Sequence, residues 1–212
     1  MTTDPTVFVV DDDQAIRESL HRLMESVGLA VQTYPTAEAF LESYDPARPG
    51  CLVLDIRMPG MTGLELQEKL ARDRITMPAI IVSAHGDVEK AVQAMKAGAV
   101  DFLKKPFRAE VLLDRIRQAL DLDARIRRKA AERAEIAARF DLLTPRESEV
   151  LALLVDGKAP KEIAFKLGLS RKTVDVHRGH VMTKLRADSV VDLVRMAQIH
   201  AAAEPTAASK FP

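Results

Sequence analysis

Residues 6–13 read TVFVVDDD, an uninterrupted apolar run that stops at three consecutive aspartates, as expected for a buried strand with polar groups at its carboxyl end. Four further apolar or mixed runs follow it: LAVQTY at 29–34, CLVLD at 51–55, AIIVSA at 79–84 and VDFLK at 100–104. All but the second of the five are continuously apolar rather than alternating, which is typical of strands that are covered on both faces.

Helical patterns separate these runs. Apolar residues recur at helical spacing at Ile16, Leu20, Leu23, Met24 and Val27, and again at Ala91, Met95 and Ala99. Strands that alternate with helices predict an α/β, doubly wound, parallel five-stranded sheet. In such sheets, binding sites form at the carboxyl ends of the strands, near the point where the strand order reverses.

The composition excludes several classes of protein. The chain has 212 residues, of which 47% are hydrophobic and 29% charged, as in an ordinary globular protein of one large or two compact domains. No apolar run approaches the ~18 residues of a transmembrane helix, and the N-terminus lacks the pattern of a signal peptide, so we expect a cytoplasmic protein with no membrane partner. The single cysteine, Cys51, excludes an internal disulfide and is expected to be a small buried apolar residue.

The net charge of zero hides an asymmetry along the chain. Residues 1–121 carry a net charge of −5, residues 122–140 carry +3 and residues 141–212 carry +2. Within the last segment, residues 157–186 hold eight basic side chains against Glu162 and Asp175. An acidic front and a locally basic back predict two modules with different partners.

A helical pattern without proline or glycine runs from about Arg108 to Phe140. Its repeating positions, spaced alternately by four and three residues, are Leu112, Ile116, Ala119, Asp123, Ile126, Ala130, Arg133, Ala137 and Phe140. One interpretation is a seam along which two copies of the chain pair as a preformed dimer, with Asp123 and Arg133 as polar seam residues that fix the register. The alternative is that the first half packs on the sheet and the rest is a solvated linker.

The back module, residues 141–200, is predicted to be a small all-α domain of four short helices. Thr144 and Pro145 give a helix start, Gly157 and Gly168 fall where helices would stop, and Ser170 and Ser189 are expected N-caps. A helix from about 161 to 167, a turn with Gly168 and a second helix from 171 to 185 have the spacing of a helix-turn-helix. Residues 201–212 are predicted to be a disordered tail.

Polar residues follow four of the predicted strands. Asp11 and Asp12 come after the first strand, Asp55 ends the third, Ser83 ends the fourth and Lys105 follows the fifth. Carboxylates that converge repel each other unless a cation binds, and hard oxygen ligands without histidine or cysteine suit Mg²⁺. An aspartate supported by a metal can accept a phosphoryl group, which a lysine and a hydroxyl would stabilise.

These motifs carry a family resemblance. VDDD at 10–13, DIRMPGMTG at 55–63, SAHGD at 83–87 and KP at 105–106 resemble the receiver domain of bacterial response regulators, and AMKAGAVDFLKKPF at 94–107 is similar to the FixJ subgroup. The resemblance implies that Asp55 is the phosphoacceptor and that Asp11, Asp12, Asp55 and the backbone carbonyl of Arg57 hold Mg²⁺. It also implies that Ser83 and Lys105 contact the phosphoryl oxygens and that Phe102 is an aromatic switch residue.

Some of these residues have other interpretations. Asp13 is expected to be a helix cap rather than a ligand, Phe102 alone would fit a core position, and His85 would tune dephosphorylation or only lie in the loop. A metal-dependent phosphohydrolase also places a nucleophilic aspartate on a doubly wound sheet. Its usual second aspartate, two residues after the nucleophile, is replaced here by Arg57, so no general acid is left and the chain is predicted not to be an enzyme.

The back module resembles the LuxR-type helix-turn-helix of the FixJ/NarL branch over LTPRESEVLALLVDGKAPKEIAFKLGLSRKTVDVHRGHVMTKL, residues 143–185. The apolar face of the second helix, with Val174, Val181 and Leu185, is predicted to point into the core. The resemblance implies contacts to base edges from Lys172, Thr173, Val174 and either His177 or Arg178. Lys161, Arg171 and Lys184 are expected to hold phosphates. Asp175 would accept a hydrogen bond from the amino group of a cytosine or be a solvated charge.

The sequence therefore predicts a receiver at 1–121, a helical linker at 122–140, a DNA-binding domain at 141–200 and a tail at 201–212. The expected function is a two-component response regulator in which a sensor histidine kinase phosphorylates Asp55 and thereby controls transcription. The expected partners are that kinase, a palindromic double-stranded operator, RNA polymerase and a second copy of the chain, which would join on phosphorylation or through the long helix. The alternative is a receiver that diverts phosphate without productive DNA binding.

Overall fold

The computed structural model describes residues 4–84 and 88–202, where the contacts form two compact units, one ending at Arg127 and one beginning at Arg128. His85 and residues 203–212 of the predicted tail lie outside the described residues. The elements of the first unit are β1 (Thr6–Val10), α1 (Gln14–Ser26), β2 (Ala30–Tyr34), α2 (Ala37–Ser43), β3 (Gly50–Asp55), α3 (Gly63–Arg72), β4 (Ala79–Ser83), α4 (Val88–Lys96) and β5 (Asp101–Lys104). The remaining elements are α5 (Ala109–Phe140), α6 (Pro145–Val155), α7 (Pro160–Leu167), α8 (Arg171–Leu185) and α9 (Val190–Ala201).

The five strands form one parallel sheet in the order β2-β1-β3-β4-β5. The predicted doubly wound sheet is thus confirmed. The strand order reverses between β1 and β3, so the carboxyl ends of these two strands flank the switch point at which sites of this fold lie.

Both faces of the three inner strands, β1, β3 and β4, are buried, which explains why these strands are apolar without alternation. Phe8, Leu52 and Ile81 point into a core that they share with α2 and α3. Their neighbours, Cys51 among them, point into the opposite core, which contains residues of α1 and the start of α5. The prediction that Cys51 is a buried apolar residue is confirmed, and burial raises the pKa of its thiol.

Helix α5 supplies buried residues to the two units from different stretches. Leu112, Ile116 and Ala119 are fully buried in a core of the first unit, and Asp123 is 3% exposed. Ile136 is buried in the core of the second unit, whereas residues 128–135 are all exposed. The prediction of one continuous dimer seam over 108–140 is therefore wrong for its first half, because those positions are already buried against their own sheet.

The boundary of the first unit reflects polar contacts beyond the predicted receiver end at 121. The Oδ2 atom of Asp123 accepts from the Gly50 N–H at 2.9 Å and from Arg127 Nε at 2.8 Å. Arg127 also donates to the carbonyls of the segment that precedes β3. These bonds attach the helix to the first unit as far as Arg127.

The second unit is helical throughout its described part. Its core contains Val150, Ile163, Val174, Val181 and Leu185 from α6, α7 and α8. The predicted N-caps hold: Thr144 and Glu147 form a capping box at α6, and the hydroxyls of Ser170 and Ser189 accept backbone N–H groups at α8 and α9. The short helices are thus defined by local capping together with one shared core.

Candidate functional site

Two carboxylates and one ammonium meet at the carboxyl edge of the sheet. Asp11 directly follows β1, Asp55 is the last residue of β3, and Lys105 directly follows β5. The Nζ atom of Lys105 lies 2.6 Å from Asp11 Oδ2 and 2.7 Å from Asp55 Oδ1. The sequence-based expectation that these three residues converge is confirmed.

Backbone groups orient both carboxylates. The second oxygen of Asp55, Oδ2, accepts the N–H of Arg57 at 2.6 Å, and Asp11 Oδ1 accepts the N–H of Asp13 at 3.0 Å. Gly63, where α3 begins, lets the chain pass close behind the end of β3, because a Cβ there would lie 2.1 Å from the carbonyl oxygen of Asp55. The loop therefore fixes Asp55 from two sides.

The electrostatics of the cluster favour a charged lysine between the two acids. Burial raises the pKa of Asp11 against the opposing effect of Lys105, and the charge of Asp55 raises it further. Burial alone would lower the pKa of Lys105, but its hydrogen bonds to Asp11 and Asp55 outweigh that effect and raise it. Lys105 is thus a cation at neutral pH, and it partly offsets the repulsion between the carboxylates.

The other predicted residues of this edge lie around the cluster. Ser83 is buried at the end of β4, and its carbonyl accepts the Lys105 N–H at 2.8 Å. Asp12 and Arg57 are exposed next to the two buried aspartates. Phe102 on β5 is half-buried and packs against the core that contains Phe8. Asp13 is the N-cap of α1, as predicted, and accepts the N–H groups of Ala15 and Ile16.

The donor set at this edge fits a hard divalent cation. Asp11 and Asp55 supply carboxylate oxygens from neighbouring strands, and the exposed carboxylate of Asp12 follows directly after Asp11. Oxygen ligands held by carboxylates are those that Mg²⁺ prefers. The carboxylates at this edge therefore fit Mg²⁺ in the type of their donor atoms.

The second unit contains a helix-turn-helix. Helix α7 ends at Gly168, whose φ of +65° in the left-handed region suits glycine, and Ser170 then caps α8. Lys161, Arg171 and Lys172 are exposed, whereas Thr173, His177 and Arg178 are half-buried. The exposed cations at the start of α8 form a positively charged end of the second helix.

Two predicted DNA contacts are corrected by the packing. Val174 is fully buried in the core of this unit, so its side chain contacts protein rather than a base. Lys184 donates from Nζ to Glu147 Oε2 at 2.6 Å. Its ammonium therefore neutralises a buried carboxylate inside the domain instead of standing free for a phosphate.

Glu147 is the residue of this unit whose importance the sequence pattern understated. It is 3% exposed, and its Oε2 also accepts the Thr144 N–H at 2.8 Å. The hydrogen bond from Lys184 and the bond from the Thr144 backbone lower the pKa of Glu147 to about 2. The spacing of Thr144 and Glu147 is that of a capping box, but the partner on α8 lies too far along the chain for a local pattern to reveal.

Comparisons with known proteins agree with this geometry. A model of the response regulator receiver domain matches residues 7–117, and a model of bacterial regulatory proteins of the luxR family matches residues 141–197. The transcriptional regulatory protein FixJ of Azorhizobium caulinodans is 48% identical over 90% of this chain and 90% of its own length. Nodulation protein W of Bradyrhizobium diazoefficiens is 45% identical over 93% of this chain and 87% of its own length. The structure of the response regulator StyR is 46% identical, with a TM-score of 0.85 over 92% of this chain and 99% of that one.

The chain is a two-component response regulator. Its first unit is a receiver domain and its second a LuxR-type DNA-binding domain, so it belongs to a family of transcription regulators rather than of enzymes. A receiver domain implies a sensor kinase as partner and generally binds Mg²⁺ at its phosphorylation site. Among residues 4–84 and 88–202, the structure contains no helix that is long and apolar enough to cross a membrane.

Proposed function

We propose that phosphorylation of Asp55 by a sensor histidine kinase controls dimerisation and sequence-specific DNA binding of this response regulator. The observation that carries the proposal is the bridge from Lys105 Nζ to Asp11 and Asp55 at the edge of the sheet. It combines a nucleophilic carboxylate, a neighbouring acid and a cation in one place, which phosphoryl transfer requires.

In the proposed transfer, Oδ1 of Asp55 attacks the phosphorus of a phosphohistidine. The new O–P bond forms as the P–N bond breaks, and the imidazole nitrogen leaves with the electron pair of that bond. The Arg57 N–H holds Oδ2 during the attack, and Lys105 turns from the carboxylates to the phosphoryl oxygens. Mg²⁺, held by Asp11, Asp12, Asp55 and the Arg57 carbonyl, would neutralise charge on the phosphoryl group when bound.

The signal then passes to the α4–β5–α5 face. The Ser83 hydroxyl would turn to the phosphoryl group, and Phe102 would follow the movement of the β4 end. This face carries exposed apolar side chains: Val92 and Met95, each 47% exposed, and Val111, 36% exposed. Burial of these side chains between two receivers is the proposed source of affinity in the phosphorylated dimer.

The output is DNA recognition by α8 in the major groove. Lys172 and Thr173, with His177 or Arg178, are proposed to read base edges, and Lys161 and Arg171 to hold phosphates. A two-fold dimer reads two half-sites, so the operator is expected to be palindromic, and the bound dimer is proposed to act on RNA polymerase.

Selection of bound fragments from a random DNA pool tests the proposal. Full-length protein is compared in Mg²⁺ with and without beryllofluoride, a phosphoryl mimic, alongside Asp55→Asn and a control, Asp73→Asn, which removes an exposed carboxylate paired with Lys69. We expect a palindromic site to be enriched only with the mimic, in the wild type and the control but not in Asp55→Asn.

The other outcomes identify what is wrong. A response in Asp55→Asn refutes the assignment of the phosphoacceptor, and equal enrichment with and without the mimic refutes the switch while leaving the DNA reader. No enrichment in any condition favours the alternative, a receiver that diverts phosphate without productive DNA binding.

A further inference from the structure

Three potential metal ligands from two helices meet within the LuxR-type domain. Glu147 lies near the start of α6, and His177 and His180 lie on α8. One ligand atom from each residue lies within 4.8 Å of the other two. Residues separated by three positions share a helix face, so the two imidazoles are presented to Glu147 together.

One edge of this triangle already has the length of a coordination edge. His180 Nδ1 is 3.4 Å from Glu147 Oε1. Zinc bonds to nitrogen and oxygen of about 2.0–2.2 Å in a tetrahedral site place neighbouring ligand atoms about 3.3–3.5 Å apart. The third ligand lies within 4.8 Å of the other two, and side-chain rotation that brings it to this spacing would complete the set.

The carboxylate is held in place by groups outside the triangle. Its Oε2 accepts from the Thr144 N–H at 2.8 Å and from Lys184 Nζ at 2.6 Å, and its Oε1 faces His180. Such outer hydrogen bonds orient ligating carboxylates in metal sites. Because Lys184 and Thr144 are bonded to Oε2, Oε1 is the oxygen of Glu147 that is available to a metal on the side of His180.

His177 supplies an independent observation. Its Nδ1 is buried and has no hydrogen-bond partner among residues 4–84 and 88–202. A buried ring nitrogen without a partner is uncommon in folded proteins, since most such atoms are paired. No protein group of the described chain therefore competes with a metal for this nitrogen.

We propose that Glu147, His177 and His180 form a binding site for a divalent transition metal of the zinc class. Two imidazoles and one carboxylate are a frequent zinc set, in which a fourth position is left to water. The nitrogen ligands distinguish this site from the all-oxygen set at Asp11 and Asp55, which suits Mg²⁺.

Zinc titration of the full-length protein, free of zinc and DNA and in excess Mg²⁺ to fill the receiver site, tests the proposal. The variants are His180→Asn, at a side chain that is 60% exposed, and His177→Gln, with circular dichroism to confirm helix content. The matched control is His21→Asn, which removes a receiver histidine on α1. We expect one zinc ion per chain in the wild type and control, and at least about ten-fold weaker binding in both cluster variants.

Cobalt provides a second readout, because Co²⁺ in a tetrahedral site gives visible absorption bands that hydrated Co²⁺ lacks. We expect these bands in the wild type and their loss in His180→Asn. Equal zinc affinity in His180→Asn and His21→Asn, or binding that disappears in Asp12→Asn instead, overturns the proposal. Since no DNA is present, the result is independent of the proposed function.

Discussion

Replacing Asp123 with alanine is expected to destabilise the receiver domain, although the residue lies on α5 beyond the sequence matched by the receiver model. Its carboxylate is 3% exposed and accepts from the buried Gly50 N–H at 2.9 Å and from Arg127 Nε at 2.8 Å. The bond from Gly50 joins α5 to the start of β3, and Arg127, which lies on α5 itself, adds bonds to the segment that precedes β3. The central strand β3 carries Asp55 at its other end, so this contact stabilises the strand that bears the phosphoacceptor.

The size of the destabilisation follows from the polar groups that lose their partner when the Asp123 carboxylate is removed. A buried N–H without a partner costs about 1–3 kcal/mol, and a hydrogen bond between charged groups contributes about 1.5–3 kcal/mol. Arg127 keeps its bonds to the carbonyls of Pro46, Ala47 and Arg48, which limits the second loss. We therefore expect Asp123→Ala to lower the free energy of unfolding by ~3 kcal/mol, and Asp123→Asn, which keeps one acceptor oxygen, by ~1 kcal/mol.

Tyrosine fluorescence during urea unfolding measures this effect in the full-length protein. The chain has two tyrosines and no tryptophan, and both Tyr34 and Tyr44 lie in the first unit, so the signal reports the receiver alone. With a denaturant slope of about 2 kcal/mol/M, a loss of ~3 kcal/mol moves the midpoint down by ~1.5 M. Asp121→Ala, at an exposed position of the same helix, is the control and should leave the midpoint unchanged.

An Asp123→Ala variant that is no less stable than the wild type would instead favour a dimer seam along α5. A polar seam residue fixes register at a cost in stability, so its removal would strengthen a coiled coil. An Asp123→Ala midpoint that equals that of Asp121→Ala, or that rises with protein concentration, would refute the role of Asp123 in attaching α5 to the receiver.

Two further predictions concern the LuxR-type domain. Because the pKa of Glu147 is about 2 in the fold and 4.5 ordinarily, its contribution to stability is complete above pH 4.5 and is lost as the pH falls toward 2. Lys184→Met should weaken this acid dependence, because only the Thr144 bonds to Glu147 remain, and should cost about 1.5–3 kcal/mol at neutral pH. Hydrogen exchange of α6 and α8 measures the loss, and Lys166→Met, at an exposed position, should show neither effect. The logarithm of operator affinity should fall linearly with the logarithm of salt concentration, with a slope of about −0.9 for each neutralised phosphate. Arg171→Ala removes one phosphate contact and should therefore make this slope less steep by about 0.9. Binding that hardly changes with salt would count against α8 as the DNA-contacting helix.

The convergence of Asp11, Asp55 and Lys105 was predictable because it depends on local signals and one topological rule. Each residue stands at the end of a continuously apolar run, and the carboxyl ends of parallel strands share one edge of the sheet. The short bonds from Lys105 to both acids then follow from charge. What the sequence cannot supply is the resting arrangement, in which the lysine is shared between the two carboxylates.

Asp123 and Val174 show where pattern reasoning fails. Heptad spacing describes which helix face is covered, but it does not distinguish a covering sheet of the same chain from a second helix. The partners of Asp123 include Gly50, 73 positions away in the sequence. For Val174, helical periodicity predicted the core and family resemblance predicted a base contact; the residue is fully buried, so periodicity was the better guide.

The burial along α5 bears directly on how two chains would pair. A coiled coil requires apolar positions sustained over about three to four heptads, and the exposed stretch 128–135 is far shorter. Extending the seam toward the receiver would withdraw Leu112 and Ile116, both fully buried, from their core. Exposing one such side chain costs about 1.5–3 kcal/mol, so the four side chains of a dimer cost about 6–12 kcal/mol. This cost is comparable to the ~8 kcal/mol of a micromolar association. Pairing through this helix would thus be opposed by the packing of the receiver itself, whereas the exposed apolar side chains of the α4–β5–α5 face are free of that cost.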